Sequence, residues 1–128
     1  MKYVITETQF DKILDLYISK YIGRNPKIKR EENPYMDGSF SLNIKDVNDE
    51  KLFRYNFFPA GESWDDPSDK IYPANGNLYI RQELVEDLIG FLNVRETKVL
   101  DLIADWFTKK YDVDVDDVSS TKLWKKKD

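Results

Sequence analysis

The sequence predicts an α+β domain: an N-terminal helix, a small antiparallel three-stranded meander, and two C-terminal helices packed on one face of the sheet. Three observations predict this fold class. Apolar residues recur every three or four positions near the start, alternate with polar residues through the middle, and return to helical spacing in the last third. A three-stranded sheet needs cover on its apolar face, and amphipathic helices provide it.

The first helix is expected at residues 7–22. Thr6 and Gln9 have the spacing of a capping box, in which each side chain satisfies a free backbone donor of the first turn. The spacing of one buried stripe is kept by Phe10, Ile13, Leu14, Tyr17, Ile18 and Tyr21. Gly23 and Pro26 then end the helix.

Two alternating runs in the middle of the chain predict an antiparallel hairpin. Residues 40–44 and 53–57 each place apolar side chains at every second position. Asn48-Asp49 lies between them and suits a turn, because both residues tolerate left-handed backbone conformations. A short edge strand is expected around Ile28, before the hairpin.

A long connection separates the hairpin from the third strand. Residues 59–75 carry three prolines and several acids, and a loop of this length in a compact domain is often functional. Asn75-Gly76 has the chemistry of a tight turn. We therefore expect the chain to turn there and enter a third strand at 77–81.

The last third predicts two amphipathic helices. The first spans Gln82–Leu92 and the second spans 95–111. Asn93 and Glu96 have the residue types and spacing to cap the second helix. The apolar stripes of the two helices consist of Leu84, Val85, Leu88, Ile89 and Leu92, and of Val99, Leu102, Ile103, Trp106 and Phe107.

Length and composition predict one domain at 1–118 and a basic, flexible C-terminal tail at 119–128. The chain has 128 residues, of which 41% are hydrophobic and 34% are charged. The formal net charge of -4 favours solubility and counts against a general nucleic-acid binder. No apolar run is long enough to span a membrane, and no signal-peptide core follows the first residues. We expect a cytoplasmic protein.

The residue types argue against an enzyme and against a bound cofactor or metal. The chain has no cysteine and no histidine, which removes thiolate chemistry and the commonest general base. The acids Asp112, Asp114 and Asp116 match the first positions of a calcium loop. The sixth position is Asp117 rather than glycine, and the twelfth is Leu123 rather than glutamate. We therefore expect a short strand or a helix-end loop without a metal, with its acids in solvent and Val113, Val115 and Val118 facing inward.

One tryptophan lies inside the polar connection at 59–75. Trp64 is followed by Asp65, Asp66 and Asp69, and tryptophan is enriched at binding hot spots. These four residues are our candidate protein-binding site. The alternative is that Trp64 folds back over the sheet edge and anchors the loop, as buried aromatic residues do.

Five basic residues and no acid occupy positions 20–30. They are Lys20, Arg24, Lys27, Lys29 and Arg30. Together with the Lys-rich tail they are candidates for contact with nucleic-acid phosphates, and Tyr21 and Trp124 would add stacking surfaces. The alternative is an ordinary solvated surface balanced by nearby acids.

Three patches of the sequence carry a family resemblance. They are Met1-Lys2-Tyr3-Val4-Ile5-Thr6-Glu7-Thr8-Gln9, Asn75-Gly76-Asn77-Leu78-Tyr79 and Ala104-Asp105-Trp106-Phe107. These patches resemble parts of short uncharacterised proteins encoded by marine tailed phages. The resemblance implies a virus-encoded accessory protein acting in a host cytoplasm, and it transfers no function and no site residue.

Three functions remain open from the sequence. The first is a small non-enzymatic module that binds a protein partner through the Trp64 loop or a helix face. The second is a nucleic-acid-associated protein that uses the basic segment and the tail. The third is an acidic mimic of DNA that inhibits a host protein through Asp65, Asp66, Asp69 and the acids of residues 112–117. The first predicts salt-insensitive binding, whereas the other two predict a strong dependence on salt.

Overall fold

The computed structural model describes residues 7–23, 27–34, 37–62, 71–72 and 74–122. The elements in these ranges are α1 Glu7–Ile22, β1 Lys27–Glu32, β2 Phe40–Lys45, β3 Lys51–Phe58, β4 Gly61–Glu62, β5 Ile71–Tyr72, β6 Asn75–Arg81, α2 Gln82–Leu92, α3 Glu96–Tyr111 and β7 Asp117–Thr121. The predicted α+β class is confirmed. None of the helices in these ranges is long and apolar enough to cross a bilayer.

Five of the described strands form one mixed sheet, in the order β1-β2-β3-β6-β7. The predicted meander is present as β2, β3 and β6, but a count of three strands is too low. The expected edge strand, β1, joins it antiparallel, and β7 pairs with β6 in parallel. A parallel pair needs a long crossover connection, and α2 and α3 supply it. The strands β4 and β5 pair separately with each other.

The parallel strand β7 was not predicted as part of the sheet because its sequence gives little strand signal. Asp117–Thr121 has one apolar side chain, Val118, among polar neighbours. Val118 pairs with Leu78 of β6 and packs against the core. The strand continues to Thr121, past the expected start of the tail at residue 119. Residues 123–128 of that expected tail lie outside the described residues.

The helix α1 has the bounds that the sequence predicts. Leu14 and Ile18 are fully buried, and Phe10 and Tyr17 pack against the core while remaining partly exposed. Gly23 ends the helix with a φ of 70°, and its N–H donates to the carbonyl of Ser19 at 2.8 Å. A positive φ favours glycine because it has no Cβ to clash. The expected cap at Thr6 lies outside the described residues.

The junction between α2 and α3 differs from the predicted cap. Asn93 does not cap α3. It ends α2 instead, with a φ of 55° and a backbone N–H that donates to the carbonyl of Ile89. Arg95 precedes α3 and makes no side-chain capping bond. Asparagine serves both ends of helices, because its short amide tolerates left-handed backbone as well as accepting N–H bonds.

Asn75 and Gly76 also differ from prediction, because they lie inside β6 rather than in a turn. A Cβ at Gly76 would collide with the backbone carbonyl of Asp114 and with the hydroxyl of Tyr55. The Gly76 N–H donates to the carboxylate of Asp116 at 2.8 Å. Glycine is therefore needed here for the close approach of the segment that leads into β7.

The core lies between the three helices and one face of the five-stranded sheet. The ring of Phe53 lies 5.9 Å from Trp106 and 5.8 Å from Phe107, and Tyr55 also lies 5.8 Å from Phe107. The indole N–H of Trp106 donates to the carboxylate of Asp15 at 2.7 Å, which joins α3 to α1. The buried core residues of the sheet are Leu42, Ile44, Leu52, Phe53, Tyr55, Leu78 and Ile80.

A β-bulge interrupts the pairing of β2 with β3. Ile44 pairs with Phe53, and the next residue, Lys45, pairs with Lys51, so Leu52 has no partner. Leu52 and Phe53 are both buried, at 0% and 1% exposure. The inserted residue shifts the alternation of the strand and places Lys51 beside Lys45.

Candidate functional site

The structure describes only part of the predicted site residues. Trp64, Asp65, Asp66 and Asp69 lie outside the described residues, and so does Arg24. The protein-binding loop therefore stays a prediction. The four other basic residues of the segment 20–30 lie within the described residues.

These four cations do not share one surface. Lys20 lies in the last turn of α1, where its ammonium is 5.4 Å from the centre of the Tyr17 ring. Lys29 and Arg30 are neighbours in β1 and point to opposite faces, as successive strand residues must. Arg30 lies over the ring of Phe40 on the helix side, 3.9 Å from its centre. Only Lys27 and Lys29 point away from the helices.

Lys27 and Lys29 belong to what we call the open face, the face of the five-stranded sheet on which none of the described helices packs. Two rows of side chains cross it. The lysine row is Lys27, Lys45 and Lys51, which are paired across β1, β2 and β3. The arginine row is Lys29, Asn43, Arg54 and Tyr79, paired across β1, β2, β3 and β6. Directly paired side chains lie about 5 Å apart at their Cβ atoms.

All the residues of these two rows except Tyr79 line an open groove of about 470 Å³, which we call the cationic groove. Its charged lining consists of Lys27, Lys29, Lys45, Lys51, Arg54, Glu31 and Asp49. Five positive side chains thus face two carboxylates. Closely spaced like charges raise the local potential, so the groove favours an anion even though the whole chain carries -4.

The two carboxylates form ion pairs with only three of the five cations. Asp49 lies 3.5 Å from Lys27 and 3.7 Å from Lys45, and Glu31 lies 3.1 Å from Lys29. All these side chains are at least 41% exposed, so each pair contributes about 1 kcal/mol or less. Within the described ranges, Lys51 and Arg54 form no ion pair.

A second groove, of about 350 Å³, continues the open face and is called here the aromatic groove. It shares Glu31 and Arg54 with the cationic groove and adds Glu32, Ser41, Asn56 and Phe58, so its charged lining is two carboxylates and one guanidinium. The ring of Phe58 is 40% exposed. The Arg54 Nε donates to the side-chain oxygen of Asn56 at 3.3 Å, so this guanidinium lies where the two grooves meet. The open face is therefore cationic at one end and aromatic and amide-bearing at the other.

Sequence reasoning missed three cations of the open face. Lys45 and Arg54 occupy the polar positions of the two alternating runs, so the hairpin pattern could have assigned them to the same side as Lys29. Lys51 could not have been assigned, because only the bulge turns it to that side. The segment 20–30 is basic in sequence, but the cationic surface assembles from three strands.

Two large apolar side chains on the helices are exposed, and together we call them the helix patch. Leu16 of α1 and Phe91 of α2 are 72% and 62% exposed. Tyr17, which follows Leu16 in α1, has its ring centre 5.5 Å from that of Phe91. Nearby, the Tyr21 hydroxyl donates to the Asp87 carboxylate. Burial, and then this bond, raise the pKa of Tyr21 well above its usual value.

One ion pair is buried where β2 ends. The Arg81 Nη1 lies 2.9 Å from Asp46 Oδ2, with the two side chains 1% and 4% exposed. Arg81 also donates to the carbonyl of Lys51 at 3.0 and 2.7 Å. Asp46 Oδ1 accepts the N–H groups of Asn48 and Glu50 at 2.9 and 3.0 Å. The pair holds the β2–β3 turn against the end of β6, which is a structural role.

The acids after α3 also have structural positions. Asp112 ends the helix with a φ of 53°, and Asp116 binds the backbone N–H of Gly76. Asp114 accepts the Tyr55 hydroxyl through its backbone carbonyl. Burial, followed by the charges of Asp114 and Asp116, raises the pKa of Tyr55 to about 12. These contacts give the segment a structural role, while the side chains of the four acids of residues 112–117 remain exposed.

In the part of the chain that the structure describes, no group of three or more acidic, histidine or cysteine side chains could hold a metal ion. No protein-family model matches the sequence, and no curated protein matches it.

Proposed function

We propose that this protein binds nucleic acid through the phosphate backbone, on the open face of its sheet. The observation that carries the proposal is the cationic groove, where five positive side chains from three strands face two carboxylates. Phosphates would replace the weak, exposed ion pairs of Lys27, Lys29 and Lys45 at little cost. Lys51 and Arg54 offer cations that no described carboxylate neutralises.

The proposal predicts a measurable salt dependence. Each phosphate neutralised on a single strand releases counterions and contributes about -0.7 to the slope of log K against log salt. Engagement of all five cations would therefore give a slope of about -3.5. A fluorescein-labelled oligonucleotide, titrated with protein at several salt concentrations and followed by anisotropy, measures this slope.

A charge-matched pair of variants tests the location. Lys51→Gln with Arg54→Gln removes the two cations without ion pairs, and should weaken binding and reduce the size of the slope by about 1.4 on a single strand. Lys12→Gln with Lys98→Gln removes the same charge from exposed positions on α1 and α3, and should leave the slope unchanged. Equal effects of the two double variants, or no binding by the wild type, would refute the proposal.

A second candidate function is the binding of a protein partner through the helix patch. It is favoured by the exposure of Leu16 in α1 and Phe91 in α2, and by the contact of Phe91 with Tyr17 of α1. Leu16→Ser with Phe91→Ser should then abolish capture of a partner from nuclease-treated host lysate, while unfolding is unchanged. Capture that depends on nuclease-sensitive material would count against this second candidate. The setting that we propose, a virus-encoded protein in a host cytoplasm, is supported by the sequence resemblance alone.

A further inference from the structure

We infer that the nucleic acid is single-stranded and that one of its bases stacks on Phe58. The inference rests on the proposed function and deepens it, because it specifies which form of nucleic acid the open face accepts. Its basis is the position of an exposed aromatic ring on the same face as the cations, one groove away from them.

The side chain of Phe58 belongs to the open face rather than to the core. Its neighbour Phe57 packs on the opposite side, where its ring lies 5.4 Å from that of Phe40. Alternation along β3 then places Arg54, Asn56 and Phe58 together on the open face. Phe58 thus occupies a position where this strand otherwise carries polar residues, and it is 40% exposed. A flat ring in this position provides a platform for a base.

Arg54 connects the platform to the phosphate-binding end. It lines both grooves, and it lies four residues from Phe58, a distance of about 13 Å along a strand. A strand of nucleic acid that follows β3 would therefore pass from the lysine row, over the guanidinium, to the ring. Asn56 and Ser41 lie beside this path and can exchange hydrogen bonds with base edges.

Single strands and duplexes can use this face differently. A base can leave its neighbours and stack on a side chain only when it is unpaired, whereas a duplex keeps its base faces inside the stack. A duplex would thus contact the lysine row and Arg54 and gain nothing from Phe58. The contribution of this one ring separates the two ligands.

The test measures the binding of one fluorescein-labelled oligonucleotide, as a single strand and as a duplex, at fixed salt. Phe58→Ala should weaken single-strand binding by about 5- to 150-fold, leave duplex binding unchanged and leave the salt slope unchanged. Phe58→Trp, which keeps a stacking surface, should bind the single strand at least as well as the wild type. Val47→Ala removes an exposed apolar side chain from the β2–β3 turn, outside the lining of both grooves, and should have no effect.

The outcomes separate the inference from the proposal beneath it. If Phe58→Ala binds single strands like the wild type, while Lys51→Gln with Arg54→Gln does not, the stacking inference is wrong and the nucleic-acid proposal stands. If duplex and single strand lose affinity equally in Phe58→Ala, the inference is also overturned. If the wild type binds neither oligonucleotide, both fail.

Discussion

Replacing Asp46 by Asn should lower the free energy of unfolding by about 3–5 kcal/mol, the range for removing one partner of a buried ion pair. Asp46 and Arg81 are 4% and 1% exposed, so solvent cannot replace the lost charge. Asn keeps an oxygen that can accept the N–H groups of Asn48 and Glu50, which preserves the turn. The guanidinium keeps its bonds to the Lys51 carbonyl but loses its only described counter-charge.

A matched control lies three residues along the same turn. Asp49→Asn makes the same change of charge, and asparagine tolerates the φ of 65° found there. Asp49 is 60% exposed, and its contacts with Lys27 and Lys45 are 3.5 and 3.7 Å long. Its loss should cost about 1 kcal/mol or less. Urea unfolding of both variants at neutral pH measures the difference, and equal losses would refute the assigned role of Asp46.

The same ion pair predicts a dependence on pH. Burial alone would raise the pKa of Asp46, but the N–H of Glu50, the guanidinium of Arg81 and the N–H of Asn48 together lower it. The pKa in the folded state therefore lies below the unfolded value of about 3.9. The stabilisation is fully present above that value and is lost as the pH falls through the folded pKa. Asp46→Asn should flatten the decline in stability below about pH 4.

Two further pairs of variants test packing with the same unfolding measurement. Gly76→Ala places a Cβ against backbone and should cost about 1–3 kcal/mol, whereas Gly90→Ala, in an open helical position, should stabilise by about 0.5–1 kcal/mol. A neutral Gly76→Ala would show that the segment before β7 can move away. Leu14→Ala should cost about 2–5 kcal/mol, while Leu16→Ala in the same helix should stay within about 0.5 kcal/mol. A stable Leu14→Ala would mean that α1 does not complete the core.

The helices were predictable because each displays a long apolar stripe. The spacing repeats over 16 residues in α1 and 11 residues in α2, so both helices were placed at the bounds that the structure has. Single residues at junctions were less predictable. Asn93 suits either end of a helix, and only the tertiary structure decides that it ends α2.

Strand contacts over long distances were not predictable from local pattern. The sequence of β7 resembles a loop, and its strand conformation comes from pairing with β6 after two intervening helices. Gly76 has the residue type of a turn, but its small size serves a contact with a segment nearly forty residues away. In both cases the cause lies in a partner that a sequence window does not contain.

The sequence predicted the kind of side chain at the candidate site, but not which residues come together there. Counting charges along the chain grouped Lys27 and Lys29, which lie on the open face, with Lys20 and Arg30, which point elsewhere. Alternation in the hairpin would have added Lys45 and Arg54. The net charge of -4 does not describe the cationic groove, because the acids and the cations of this chain are unevenly distributed.

The bulge at Leu52 also affects which substitutions and deletions β3 can accept. Along most of β3, buried residues that stabilise the fold alternate with residues that face the open side. Substitutions that affect stability and substitutions that affect binding therefore fall at alternate positions. Residues 52 and 53 are both buried, so the alternation between buried and open-face positions is interrupted there. A deletion of Leu52 would remove the bulge and place Lys51 directly before Phe53, where regular alternation keeps it opposite Lys45 on the open face. The lost leucine is fully buried, so this deletion would cost core packing while leaving the lysine row in place.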